Sequence, residues 1–314
     1  LIRLTTRLSH SRSRVQRRDP LAQNALQKPD DLFQFMLLPA IARKKYKNLI
    51  KMQADFEQES LNSPFNSFSL QASDTSKGII TTGLAYNYLR EVFGHDPIPY
   101  PVLKICQYPL PMEQIHSMYD RCDSLYIFEE GMPIVEEMIK GANFKGTKPI
   151  HGRLDGTLQR DGELNPNIVA KALGLSDTFG KDIPEIVTGR PPALCVGCPH
   201  ADSYLALNEA VKEYGRGHVF SDIGCYTLGF MPPYNAINSC VDIGASITMA
   251  KGAADSGLFP AIAVIGDSTF THSGLTGLMD CLYDNSNVVI VILDNSTTGM
   301  TGGQDYTAFG KLEE

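Results

Sequence analysis

The chain has 314 residues, of which 43% are hydrophobic and 20% charged, enough apolar material for about two domains with cores of their own. Net charge is −7, yet residues 1–51 carry twelve Lys or Arg against three Asp, which leaves −16 on the other 263 residues and argues against a nucleic-acid-binding body. No segment offers the roughly 20 unbroken apolar residues of a membrane helix, and seven scattered cysteines describe no disulfide framework. A protein without membrane or nucleic-acid partners, in a reducing cytoplasm, is expected.

The chain opens with Leu1 to Leu8, a strand-like run without an initiator Met, and stops just after a glycine-rich turn; a fragment cut at both ends is expected. Residues 9–70 read as a polar connector with a helix around Leu32 to Phe56, and Arg12, Arg14, Arg17 and Arg18 as a solvated part of it. From Lys77 the pattern changes: strands at Gly78 to Thr82, Val102 to Ile105 and Ser124 to Glu129 alternate with helices at Leu84 to Phe93, Met112 to Arg121 and Gly131 to Ile139. Such alternation implies a parallel sheet. Residues 146–190 are rich in Gly, Pro, Asp and Lys and read as a linker carrying one helix, Asn165 to Leu173, with Asn165 before Pro166 as its N-cap. A second α/β unit starts near Pro191. Its expected strands are His218 to Ser221, Ala261 to Ile265 and Val288 to Leu293, and its helices Ala201 to Tyr214, Ile243 to Asp255 and Ser273 to Tyr283.

Chemistry concentrates at two strand ends. Ala261 to Ile265 runs into Gly266-Asp267-Ser268, and Val288 to Leu293 into Asp294-Asn295, with 25 residues between Ser268 and Asp294. In a doubly wound sheet both strands deliver these ends to one edge, at the topological switch point where ligands bind. Asp267 and Asn295 should then face each other. A carboxylate, an amide oxygen and a backbone carbonyl near Thr297 are hard ligands that leave octahedral positions open for phosphate oxygens, which suits Mg²⁺. Gly266 lets a diphosphate come close to the backbone, and the N–H groups of Gly299-Met300-Thr301-Gly302-Gly303 could form an anion nest. Asp242 is expected to cap the helix that follows it.

Gly266-Asp267-Ser268 with Asp294-Asn295 resembles the thiamine-diphosphate motif that begins Gly-Asp-Gly and ends with Asn, Ser268 replacing the second glycine. Thr301-Gly302-Gly303-Gln304 narrows the resemblance to the 2-oxoacid:ferredoxin oxidoreductase family. Cys195-Val196-Gly197-Cys198-Pro199-His200, Ser221 to Tyr226, Leu4 to Ser11 and Tyr108 to Pro111 are most similar to its indolepyruvate-specific large (alpha) subunits. The resemblance implies two doubly wound parallel-sheet α/β domains of the transketolase-like, thiamine-diphosphate-binding type. Residues 1–70 would be the end of a pyrimidine-binding domain plus connector, 71–145 a transketolase C-terminal-like domain, and 191–314 the diphosphate-binding domain, truncated at its C-terminus. It also implies oxidative decarboxylation of indolepyruvate or another aryl pyruvate with coenzyme A, electrons passing through iron–sulfur clusters to ferredoxin, and a small beta subunit as partner. Thiamine diphosphate would meet His200, Gly224, Cys225, Gly266, Asp267, Ser268, Asn295, Thr297, Gly299, Met300 and Thr301, and Mg²⁺ would meet Asp267, Asn295 and Thr297. The glutamate that activates the cofactor would lie outside this chain, so no catalytic residue is assigned.

Three readings stay open for Cys195, Cys198 and Cys225. The three could hold a [4Fe–4S] cluster with a fourth ligand from elsewhere, or Cys195 and Cys198 with either His200 or Cys225 could hold zinc, or the cysteines could simply belong to the loops lining the cofactor pocket. Cys106, Cys122, Cys240 and Cys281 are expected to be small core residues. His10 and Arg7 sit on the opening strand, and Glu129-Glu130 carry no assigned role.

Overall fold

A computed structural model describes residues 9, 12, 14–176, 184–189 and 191–307. The strand expected over residues 1–8, with Arg7 and His10, falls outside them. The chain divides into two compact units, Leu1–Asp182 and Ile183–Glu314. No helix among the described residues is long and apolar enough to cross a membrane.

In the first unit, helix α1 (Pro39–Leu61) begins at Pro39 rather than near Leu32. Proline's fixed φ and missing N–H suit a first turn but not a helix interior. Five strands follow: β1 (Ser67–Ser69), β2 (Lys77–Thr82), β3 (Val102–Ile105), β4 (Ser124–Phe128) and β5 (Ile150–His151), in the spatial order β1-β3-β2-β4-β5. All neighbours pair in parallel except β1, which runs antiparallel to β3 at the edge. Helices α2 (Ala85–Phe93), α3 (Met112–Arg121) and α4 (Ile134–Lys140) form the crossovers, and α5 (Pro166–Ala172) follows the last strand. Because side chains alternate along a strand, consecutive residues serve opposite cores. Ile80, Leu103 and Ile127 pack with Ile115 and Met118 of α3, whereas Ile79, Val102 and Phe128 pack with Leu89 of α2 and Val169 of α5. Burial on both faces explains why these strands read as short, nearly continuous apolar runs.

Much of the segment expected as a linker over 146–190 is built into this unit. Strand β5 pairs with β4, and Leu158, Leu164 and Val169 are fully buried. Its Gly, Pro and Asp content reflects tight turns around these apolar anchors. Asn165 caps α5 as expected, its Oδ1 accepting the Ile168 N–H at 3.0 Å.

The second unit contains α6 (His200–Ala210), β6 (Val219–Ser221), a 3₁₀ turn (Cys225–Phe230), β7 (Ser239–Cys240), α7 (Ala245–Asp255), β8 (Ala261–Gly266), α8 (Leu275–Asp284) and β9 (Val288–Leu293). The four strands are parallel in the order β7-β6-β8-β9. Every residue of β8 is buried. Ile262 and Val264 face Tyr204 and Tyr226, while Ala263 and Ile265 face Ile247 and Ala250 of α7. Both units thus have the α/β, parallel-sheet architecture expected from the sequence. Two cysteine assignments are corrected: Cys122 and Cys281 are buried, but Cys106 and Cys240 are exposed. Cys106 lies just past β3, and Cys240 on the two-residue edge strand β7, so neither has a second layer to cover it.

Candidate functional site

In the second sheet the chain leaves β6 toward β7 on one side, then returns to β8 and β9 on the other. The switch point therefore lies between the C-terminal ends of β6 and β8, where the diverging crossovers leave a crevice. A cavity of about 180 Å³ occupies this place.

Three strand ends and one helix start supply its walls. The loop after β6 contributes Gly224, Cys225 and Tyr226, and the turn after β8 contributes Gly266, Asp267, Ser268 and Thr269. The loop after β9 contributes Asn295, Thr297, Gly299, Met300 and Thr301, and His200 stands at the first position of α6. All eleven residues singled out in the sequence line this one cavity. Asp267 and Asn295 stand on its walls together, as the spacing of their strands requires.

Asp267 is the most telling side chain. It is 6% exposed, Oδ1 accepts the Ser268 N–H at 2.8 Å, and the buried Oδ2, beside the Asp294 carboxylate and the Tyr306 hydroxyl, makes no well-formed hydrogen bond. Leaving a buried carboxylate oxygen unmet costs roughly 1–3 kcal/mol or more, so such an atom at a cavity wall marks a place for an external partner. Burial, and next the neighbouring Asp294, hold the Asp267 carboxyl above the usual carboxylate range. Asp294 goes the other way, lowered by the Ser296 N–H and by Asp267. Two adjacent carboxylates, one of them with an unmet oxygen, suit a divalent cation. Asn295 completes the arrangement less rigidly, its Oδ1 accepting the Thr297 N–H at 3.3 Å.

His200 is 3% exposed, and burial lowers its pKa against the opposing pull of Asp267, so the imidazole is held neutral. Burial, followed by Cys198 and Cys195, pushes the Cys225 thiol up. Cys225 lines the cavity, while Cys195 is exposed. Among the described residues no three His, Cys, Asp or Glu side chains converge as a metal cage. The expected anion nest is partly spent. The N–H groups of Gly302 and Gly303 donate to the carbonyls of Gly299 and Thr298, and Thr298 pairs with Gln304. Positive φ angles at Gly302 and Gly303 fold this stretch into a tight turn. Asp242 is not the cap of α7. The helix starts at Ala245 after a left-handed Gly244, and the Asp242 carboxylate accepts the N–H of Ile243 instead.

Sequence reasoning passed over Asp222, Tyr226, Ser246 and Thr269. Asp222 has no exposed surface. Its Oδ1 accepts the Tyr226 hydroxyl, and its Oδ2 accepts the Ser246 hydroxyl at 2.7 Å. Thr269 Oγ1 lies 3.3 Å from the Tyr226 hydroxyl. Burial drives both the Asp222 carboxyl and the Tyr226 phenol upward. Only the position of Asp222 directly after a strand, in Ser221-Asp222-Ile223-Gly224, signals its importance.

The switch-point cavity, with its buried carboxylate and glycine-lined loops, lies where parallel α/β domains bind their ligands. Residues 222–313 match the family described as thiamine pyrophosphate enzyme, C-terminal TPP binding domain. Over 98% of its length the chain is 35% identical to the indolepyruvate oxidoreductase subunit IorA of Methanothermobacter marburgensis, covering 52% of that protein. The IorA subunits of Archaeoglobus fulgidus and Pyrococcus abyssi are 35% and 36% identical over 88% and 87% of the chain, covering 45% and 46% of theirs. The chain spans about half the length of the curated relatives it matches. The resemblance read from Gly266-Asp267, Asn295 and the Cys195 to His200 run is thereby borne out.

Proposed function

We propose that the second unit holds thiamine diphosphate through Mg²⁺, and that the protein serves a 2-oxoacid oxidoreductase acting on indolepyruvate and related aryl pyruvates. The single observation that carries the reading is the unmet Asp267 Oδ2 at the switch-point cavity, in a segment matching a thiamine pyrophosphate-binding domain. The relatives' names supply the substrate class, and the word subunit in them supplies a partner chain. When bound, thiamine diphosphate provides the electron sink that decarboxylation of a 2-oxoacid requires.

The chain's own residues divide the remaining work. Asp267, Asn295 and the Thr297 carbonyl hold the cation, and Gly224 and Gly266 line the wall beside them, their missing side chains making room for the Tyr226 ring rather than for diphosphate. Ser268 offers a hydroxyl donor, the Thr301 hydroxyl being donated to Gln304 Oε1, and neutral His200 offers one ring N–H without adding charge to the site. Cys225, Gly299 and Met300 close the wall and exclude water. We assign Cys195, Cys198 and Cys225 to these loops rather than to a cluster, and place iron–sulfur clusters, ferredoxin contacts and the activating glutamate in other parts of the assembly. Residues 1–70 then belong to the end of a pyrimidine-binding domain and its connector, 71–145 together with the β5–α5 segment folded onto them to a transketolase C-terminal-like domain, and coenzyme A takes the acyl group. A reducing cytoplasm suits seven free thiols.

The test is anaerobic turnover by the protein with its small partner subunit. Reduction of a viologen dye that depends on indolepyruvate, coenzyme A and thiamine diphosphate is expected. Aldehyde release without dye reduction would instead identify a non-oxidative decarboxylase, and cofactor binding without turnover an assembly module.

A further inference from the structure

Two of the loops that line the cavity are separated by one aromatic ring. A Cβ built on Gly266 would sit 2.5 Å from Tyr226 Cε1 and 3.1 Å from Cδ1, and one built on Gly224 would strike the same ring. Tyr226 therefore fills the gap between the Gly224–Cys225 and Gly266–Asp267 backbones as a spacer whose thickness allows no side chain on either. The spacer is tethered at both ends. Its hydroxyl is bound to the buried Asp222 carboxylate, which is itself bound by Ser246 in the first turn of α7, and Thr269 stands 3.3 Å away, two residues beyond Asp267. Its backbone carbonyl accepts the hydroxyl of Tyr204 from α6, and the Tyr204 ring lies against Gly229 of the same 3₁₀ turn. Asp222, Tyr226 and Tyr204 thus tie α6, α7 and the ends of β6 and β8 into one hydrogen-bonded brace.

We infer that Tyr226, anchored by Asp222, is a positioning residue that sets the spacing of the two loops and so the place at which Asp267 meets a cation. The inference rests on the thiamine-diphosphate reading, and it asks more of the sequence than that reading does. Asp222 and Tyr226 act at the site without touching the cation.

Calorimetric titration of the full chain with thiamine diphosphate at saturating Mg²⁺, well below the melting temperature, tests it, with thermal unfolding as a separate readout. Tyr226→Phe and Asp222→Asn keep the shape of the brace but remove or weaken the tether. Each is expected to lower cofactor affinity about three- to tenfold, the size of one lost hydrogen bond, and to raise the Mg²⁺ concentration needed for half-maximal binding. A merely structural role would lower Tm and leave both binding readouts unchanged. Gly266→Ala, whose methyl meets the ring, is expected to weaken binding more than tenfold, and adding Tyr226→Leu should restore part of it by removing the obstacle. Additive losses in the double variant, or wild-type affinity in folded Tyr226→Phe and Asp222→Asn, overturn the positioning role while the cofactor reading stands. Failure of the wild-type chain to bind Mg²⁺ and thiamine diphosphate overturns both.

Discussion

The two units apply one architecture to opposite ends. Each has a parallel sheet whose order reverses at a switch point, between β2 and β4 in the first and between β6 and β8 in the second. Each places an acid directly after a central strand, Glu129 after β4 and Asp267 after β8. In the first unit that acid is met from within. Glu129 accepts the N–H groups of Val135 and Glu136 at 3.0 and 2.9 Å, and Glu136 accepts those of Arg153 and Leu154 together with Lys140 Nζ. Arg153, 2% exposed, donates to the carbonyls of Glu129 and Gln159. In the second unit the corresponding carboxylate keeps an unmet oxygen at a cavity wall. Fold and the position of an acid in the chain do not distinguish a structural edge from a binding edge; the hydrogen-bond inventory does.

That contrast breaks first at Arg153. Arg153→Leu leaves the buried Glu129 carbonyl and the part-buried Gln159 carbonyl without this donor and removes the cation 3.7 Å from Glu130, and should destabilise the first unit by about 3–5 kcal/mol. Urea unfolding would show the loss, while thiamine diphosphate affinity at low temperature stays at the wild-type value; a parallel loss of affinity would give this edge a role in binding. Asp267→Ala should do the reverse. Partners one shell removed from a metal are worth 10–100-fold in affinity, so removal of a direct ligand should cost about 100-fold or more, with Tm unchanged or raised because a buried charge is gone. Unchanged affinity would contradict the ligand assignment.

Smaller effects sharpen the same division. Asn165→Ala removes the side-chain cap of α5 and should cost the first unit about 1 kcal/mol, seen in the urea midpoint, with no change in cofactor binding. Asp155 gives the least effect. Burial opposes ionisation, but the N–H groups of Gly152 and Thr157 and the His151 ring outweigh it, so the carboxyl titrates below its ordinary 3.8. A depressed carboxylate contributes stability that is fully present above that value and is lost as pH falls through the lower folded-state value. Urea midpoints of wild type and Asp155→Asn should therefore differ at pH 6 and converge as the pH is taken below 3.8; a constant difference would remove the carboxylate from the explanation.

Much of this was legible before any coordinates. Buried strands such as Ala261 to Ile265 announce themselves as apolar runs, and the strand-end pair Asp267 and Asn295 needs only the geometry of a parallel sheet to be brought to one edge. Three elements were not. Strands β1, β5 and β7, two or three residues long, are too short to show a period, and β5 lay hidden in a Gly- and Pro-rich stretch whose core anchors Leu158 and Leu164 are isolated. The Glu136 carboxylate and the Glu129 carbonyl find their partners in Arg153, far along the chain, and the role of Tyr226 depends on glycines 2 and 40 residues away that only the fold brings against its ring. Local pattern reports burial and periodicity; it does not report which polar groups find each other across a fold.

Electron paramagnetic resonance of Mn²⁺ titrated into the full chain, with and without thiamine diphosphate, goes most directly to the shared-cation site. Uptake of a single Mn²⁺ in the presence of the diphosphate, abolished in Asp267→Ala and absent when thiamine without its diphosphate is supplied, is the expected result. Equal uptake by wild type and Asp267→Ala, or no uptake by either, would contradict it.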